Sequence, residues 1–363
     1  MDFDFQTCLQ EIEELGYVQL VKPPVVQVQG LPGARPRELV LFESGGIGYV
    51  LGMTNEYVEV LLLGDPRIGI GSKVARTNKN LTVPVHTSFL GQSLNPLCEG
   101  SGPFPSDPEF RAVDVFTSPE IAKRSRITKP FLTGVTLVDL MIPLGRGQRE
   151  LVVGDRKIGK TEFLLQTMLK QAKEDVICIY ASIAKRKADI RNIEDFAKEE
   201  GIMDKLLMVI SASTDPLGLI YITPYTAMAL AEYFKDQGHD VLLILDDLTT
   251  HAKFYREISL VNNKFPGRGS YPGDIFYTHA RLLERAGNFK TDKGPKSITC
   301  LVVAETVEGD ISGYIQTNLM AITDGHIFFD KDYFEEGRRP AINHFLSVTR
   351  VGRQTQSRLR WGG

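Results

Sequence analysis

The run GDRKIGKT, residues 154–161, constrains this chain more than any other feature. It satisfies the pattern G-x-x-x-x-G-K-T, follows the strand-like segment RELVV and precedes the helical stretch EFLLQTMLKQAKE. At such a junction the backbone N–H groups of the loop and of the helix N-terminus converge and form an anion nest for phosphates. Lys160 is then expected to neutralise β- and γ-phosphates, and the Thr161 hydroxyl to hold Mg²⁺. The candidate nucleotide contacts are therefore Gly154, Asp155, Arg156, Lys157, Ile158, Gly159, Lys160 and Thr161.

The surroundings suit such a loop. The segments RELVVG, DVICIYAS, LLMVISAS, DVLLILDD, ITCLVVAE and AITDGHIFF are almost continuously apolar, as strands buried on both faces are. Stretches of helical period separate them, which predicts an α/β domain on a largely parallel sheet. At the end of DVLLILDD, Asp246 holds the position of an acid at the carboxyl edge of that sheet, where it would meet Mg²⁺ beside the phosphate loop. Asp247 is ambiguous, because neighbouring side chains on a strand point to opposite faces. Glu305 ends the strand ITCLVVAE and is expected to face the same site.

Upstream, the texture changes. After a short opening helix, PPVVQVQG, ELVLFESG, IGYVLGM, EYVEVLLLG and LTVPV are brief β-branched runs broken by Gly, Pro and Asn. That rhythm predicts a small closed barrel over residues 1–95. A loop rich in Gly, Pro and Ser, GQSLNPLCEGSGPFPSDPEF, marks the boundary with the nucleotide domain, expected over 96–357. The net charge of −3, and the absence of basic-aromatic interleaving in the barrel segment, argue against a nucleic-acid partner. No apolar run approaches the roughly 20 residues that span a bilayer, and the acidic N-terminus lacks the pattern of a signal peptide. The four cysteines are widely spaced with no C-x-x-C pair, which suits a reducing compartment, and Cys178 and Cys300 read as inert core residues.

Several long blocks together resemble the F-type ATP synthase α subunits: IPLGRGQRELVVGDRKIGKTEFLLQTMLKQ, DVLLILDDLTTHAKFYREISL, PGRGSYPGDIFYTHARLLERAGNF, ETVEGDISGYIQTNLMAITDGHIFF and GRRPAINHFLSVTRVGRQTQ. The resemblance runs from GGIGYVLGM to about residue 356. It implies a RecA-like P-loop domain behind the barrel, with ATP and Mg²⁺ as its cofactors. It also implies a place in a ring alternating with β subunits around a γ shaft, with δ as a further partner. That ring would be peripheral to the cytoplasmic face of a cell membrane and coupled to protons or sodium. Arg339 and Pro340 in GRRPAIN match the family's segment near ribose and adenine. Arg350 in SVTRVG matches an arginine that α contributes across the subunit boundary to the β active site, a planar and permanently charged group set against phosphoryl charge. Read without the family, Arg350 is a surface salt-bridge partner.

The stretch ICIYASIAKRKADI departs from catalysis. In the catalytic β subunits a glutamate follows this strand and polarises the attacking water, and in α subunits a glutamine takes its place. Here the position falls on Lys185. An ammonium can neutralise a γ-phosphate, yet at neutral pH it cannot accept a proton from water. Lys157 likewise stands where the family usually has glutamine. The implied function is a nucleotide-binding subunit that does not hydrolyse, inactive by itself within a proton-transporting ATPase. Two rivals are a self-sufficient hexameric ATPase (a secretion motor or RNA translocase), which needs its own glutamate near position 185, and an α-like scaffold that no longer supports rotation. The family continues past RVG into a helical domain that completes one side of the adenine pocket, whereas this sequence ends in RQTQSRLRWGG, so residues 358–363 read as a truncated tail.

Overall fold

A computed structural model describes residues 4–64, 67–114, 119–262 and 264–357. The tail assigned to 358–363 lies outside the described residues. The chain enters through a helix, Phe5–Ile12, whose first turn is capped by the Asp4 carboxylate accepting from Thr7 N at 3.1 Å.

Six strands follow: β1 (Leu15–Lys22), β2 (Val25–Gln29), β3 (Glu38–Phe42), β4 (Ile47–Met53), β5 (Val58–Leu62) and β6 (Lys73–Asn80). They close into an antiparallel barrel in the order β1-β2-β5-β4-β3-β6, leaving no free edge. Valines fill it: Val18, Val26, Val28, Val40, Val50, Val60 and Val74 form one buried cluster. The barrel is therefore present, with one strand corrected. LTVPV, expected as a barrel strand, lies outside it, as Thr82–Val85 paired with Glu109–Ala112. Closure comes instead from β1 and β6, which the sequence reading passed over. In β6, KVARTNKN, the buried positions include Arg76 and Thr77. Their polarity hides the period, yet both are satisfied. Arg76 Nε pairs with Glu38 Oε1 at 3.0 Å and its Nη1 with Glu14 at 2.7 Å, while Thr77 donates to the Leu39 carbonyl at 2.7 Å.

Among the described residues the second sheet has nine strands: β7 (Ser93–Leu94), β8 (Arg149–Gly154), β9 (Ile177–Lys185), β10 (Leu206–Ala212), β11 (Val241–Asp246), β12 (Gly287–Thr291), β13 (Gly294–Glu305), β14 (Gly325–Phe329) and β15 (Val348–Thr349). Their order is β15-β14-β8-β13-β11-β9-β10-β7, with β12 on β13 off that path. All pairs are parallel except β12 on β13 and β15 on β14. The six apolar runs read as strands are thus β8, β9, β10, β11, β13 and β14. Helices cover both faces over two buried clusters, which makes this an α/β RecA-like sheet behind a barrel. Cys178 and Cys300 lie fully buried in it, and burial pushes the Cys300 thiol up to about 12.

The boundary loop is not a detached tether, because it supplies the edge strand β7, and Leu94 and Cys98 are buried. The barrel also sits hard against the longest helix, Leu217–Asp236. A Cβ added at Gly218 would come within 2.0 Å of the Leu62 carbonyl oxygen. Only glycine allows that approach. Among the described residues no helix is long and apolar enough to cross a membrane.

Candidate functional site

The site forms where five parallel strands end together. β8 is interior, hydrogen-bonded to β14 and β13, so its carboxyl end delivers Gly154 to the middle of the sheet edge. The chain then turns with Lys157 (φ 62°) and Gly159 (φ 96°) in left-handed conformations before helix Lys160–Ala172 begins. Left-handed residues within such a turn direct successive N–H groups into one concavity, and the helix N-terminus adds its positive dipole end. Ile158, 4% exposed, anchors the loop in the core beneath. Asp155 ties it sideways by accepting from Thr306 Oγ1 at 2.5 Å and from Gly309 N at 2.9 Å.

Lys160 is buried, and its ammonium donates to the carbonyls of Gly154 at 2.6 Å and of Asp155. Burial lowers its pKa below the usual lysine value, with Glu305, Asp246 and Asp247 acting in opposition. Thr161 lies in the first turn, exposed, and its hydroxyl has no hydrogen-bond partner among the described residues. Glu305 ends β13 and is engaged by Arg156, Nε to Oε2 at 2.8 Å.

Asp246 ends β11 next door and is 4% exposed; the peptide linking it to Asp247 is cis. Both of its oxygens are occupied. Tyr180 donates its hydroxyl to Oδ2 at 2.5 Å, and Lys185 places Nζ 2.8 Å from Oδ1. The same ammonium lies 3.4 Å from Asp247 Oδ2. Asp247 caps helix Leu248–Val261, with Oδ1 accepting from Thr250 N at 2.6 Å. Its ambiguity in sequence thus resolves into a structural role. Lys185 reaches these acids because β9 and β11 run parallel with Ser182 opposite Asp246, and the strand's register to β10 shifts between Ser182 and Lys185. A bulge re-aims the side chain that follows it. Burial opposes charge on Lys185, but Asp246 and Asp247 outweigh it and hold its pKa above that of an ordinary lysine. It is an ammonium at any physiological pH.

Arg339 and Pro340, joined by a cis peptide, precede a segment that returns to the same edge. Ala341 accepts from Asp330 N at 2.8 Å and Ile342 bridges Phe329, whose neighbour across β14 and β8 is Gly154. The Arg339 guanidinium itself lies over the Phe334 ring at 3.7 Å and donates to the Phe334 and Arg338 carbonyls. Arg350 belongs elsewhere. It is exposed just past β15, with its N–H on the Asp324 carbonyl at 3.0 Å, at the end where the parallel strands begin. Among the described residues it makes no ion pair.

The structure thus gathers Gly154 to Thr161, Lys185, Asp246 and Glu305 at one edge, brings the backbone beyond Pro340 up to it, and leaves Arg350 at the other end. Sequence reasoning missed Tyr180, which is one of an unbroken run of buried residues in β9 and carries no motif. It also missed that Lys185 is directed at the acids. The only trace was the lysine's position one strand away from DD, and neighbouring strands are not written in sequence order. Phosphates suit the loop, which offers inward N–H groups, a helix N-terminus and Lys160. A divalent ion held by Asp246 does not fit unless Lys185 is displaced.

Sheet, loop and strand-end acid together define a P-loop nucleotide-binding protein. The family model described as ATP synthase alpha/beta family, nucleotide-binding domain, matches residues 134–349. The chain is 40% identical to the ATP synthase subunit alpha of Rickettsia bellii (strain OSU 85-389) over 361 residues, covering 96% of this chain and 70% of that protein. It is also 40% identical to the ATP synthase subunit alpha of Aquifex aeolicus (strain VF5) over 350 residues, covering 95% of this chain and 69% of the relative. The chain belongs to the ATP synthase alpha/beta family, on the side of the F-type alpha subunits. Membership makes it a nucleotide-binding component of an ATPase complex that partners other ATP synthase subunits. It implies the use of ATP, with Mg²⁺ as its usual companion.

Proposed function

We propose that this chain holds ATP without hydrolysing it, as the alpha member of a rotary ATP synthase head. It alternates there with β subunits around γ, with δ attached, peripheral to the cytoplasmic face of the membrane. The observation that carries this reading is Lys185. It stands at the position where the family resemblance puts the general base of the catalytic subunits, and its ammonium is paired with Asp246 at 2.8 Å. A base must be able to accept a proton within hydrogen-bond reach of the water, and an ammonium cannot. The acids at this edge do not substitute for it. Glu305 is paired with Arg156, Asp247 is spent as a helix cap, and Asp246 is held by Tyr180 and Lys185.

Arg350 acts on a neighbour. Its exposure, the lack of a close ion pair among the described residues and its place at the far end of the strands support a role at an adjoining β site rather than at its own loop. The test of the holding function is equilibrium ATP binding together with phosphate release by the isolated chain. Tight binding with negligible release is expected, and Lys160→Ala should abolish the binding. Sustained phosphate release that disappears in Lys160→Ala would refute the non-catalytic reading and favour a self-sufficient ATPase.

A further inference from the structure

We propose that Lys185 serves as the built-in cation of this site, so that it takes ATP without requiring Mg²⁺. The inference rests on the nucleotide-holding reading above and specifies the ionic form that is held. Mg²⁺ demands near-octahedral oxygen ligands and gives up water reluctantly, so a protein site usually contributes one or two carboxylates beside the phosphates. Each acid at the ends of these strands already has at least one oxygen engaged, and Asp246 and Asp247 have both. Asp246 Oδ1 is taken by Lys185 and Oδ2 by Tyr180. Asp247 Oδ1 accepts from Thr250 N, and its Oδ2 accepts from Thr250 Oγ1 at 3.0 Å and from Lys185 at 3.4 Å. Asp155 is fastened to Thr306 and Gly309, and Glu305 to Arg156. That leaves the Thr161 hydroxyl and the outlying oxygens of Asp155 and Glu305, while the strand-end acid Asp246 is fully taken.

The lysine is not a surface side chain that swings aside at little cost. Its strand lies beside the Asp246 strand, the register shift aims it, and it is only 23% exposed. A divalent ion on Asp246 would have to expel this ammonium from two carboxylates, or else sit against it at short range, and like charges in a partly buried site repel strongly. The ammonium meanwhile does what the metal does. It carries three N–H donors; two are committed to Asp246 and Asp247, and the third is left for a phosphate oxygen. Lys160 and Lys157 add positive charge on the loop side. The electrostatic demand of the triphosphate is met by side chains.

The test is calorimetric titration of the full chain with ATP, in excess Mg²⁺ and in excess EDTA. For the wild type, the two dissociation constants should differ by less than about fivefold. In Lys185→Gln, Asp246 is released as a metal ligand and a charged hydrogen bond is lost, so binding in EDTA should weaken about tenfold or more while binding in Mg²⁺ changes less. Lys185→Arg keeps the charge and should keep the metal independence, which separates this role from a loss of fold. A wild-type ratio of fivefold or more overturns the inference and leaves the holding function standing. A Lys185→Gln variant as indifferent to Mg²⁺ as the wild type also overturns it. Absence of ATP binding in both buffers overturns the holding function, and the inference with it.

Discussion

Replacing Arg350 by alanine should leave this chain's own nucleotide site almost untouched and cripple its neighbour's. The own-site effect follows from the sheet. Gly154, which opens the loop, is opposite Phe329, whereas Arg350 hydrogen-bonds at the level of Asp324, beyond Gly325. Five residues of strand at about 3.3 Å each, from Phe329 to Asp324, make roughly 16 Å. A unit charge at that range contributes about 0.3 kcal/mol in water per phosphate charge, and screening at physiological ionic strength, with a Debye length of about 8 Å, removes most of it. ATP affinity should therefore change by less than about twofold. Stability should move by no more than about 0.5 kcal/mol, as for other exposed residues without special contacts. In trans the expectation is different, since an arginine against phosphoryl charge contributes about 10³–10⁵ in rate, or roughly 4–7 kcal/mol of barrier. Arg350→Lys keeps the charge but not the planar fork and should recover little. The assay is single-site hydrolysis by a complex reconstituted with a β partner, with assembly checked by native mass measurement. Unchanged hydrolysis in an assembled Arg350→Ala complex would refute the trans role and leave a scaffold as the better description.

Two further outcomes can be measured on the isolated chain. Gly218→Ala forces a methyl group to within 2.0 Å of the Leu62 carbonyl oxygen. It should destabilise the protein by about 1–3 kcal/mol, and an unchanged thermal midpoint would show that the helix and barrel are not in firm contact. The buried pair His251 and His279, Nδ1 to Nε2 at 3.1 Å, is held neutral, with burial lowering His251 to about 4 and His279 well below its usual value. The unfolded chain binds those protons below about pH 6.5, so stability is fully present above that pH and falls as pH drops toward 4. The loss for His251 alone is on the order of 3 kcal/mol. Replacing His279 with glutamine should flatten the acid limb in urea titrations at pH 7 and pH 5, and an equally steep limb would discount the pair.

The parts legible in sequence are those written locally. A loop of fixed spacing between a strand and a helix is contiguous, so Gly154 to Thr161 announce themselves, and strands buried on both faces appear as unbroken apolar runs. The barrel strands with regular β-branched texture were legible for the same reason. β6 was not, because its buried Arg76 and Thr77 are tolerated only through partners on other segments, Glu38 and the Leu39 carbonyl.

What Lys185 does could not be read from its own neighbourhood. By itself the sequence determined that the residue ending this strand is a lysine, and hence that an expected base is missing. Whether that cation meets a phosphate or an acid was decided by strand order. β9 lies beside β11, although the helices Lys187–Glu199 and Leu217–Asp236 separate them along the chain, and the register shift after Ser182 turns the lysine toward Asp246. The same holds for Arg350, whose identity is local but whose distance from its own loop is set by the parallel register of β8 and β14. Sequence spells out which charges a chain carries. Their energies depend on separation and burial, and those are set only when strands far apart in the chain are packed side by side.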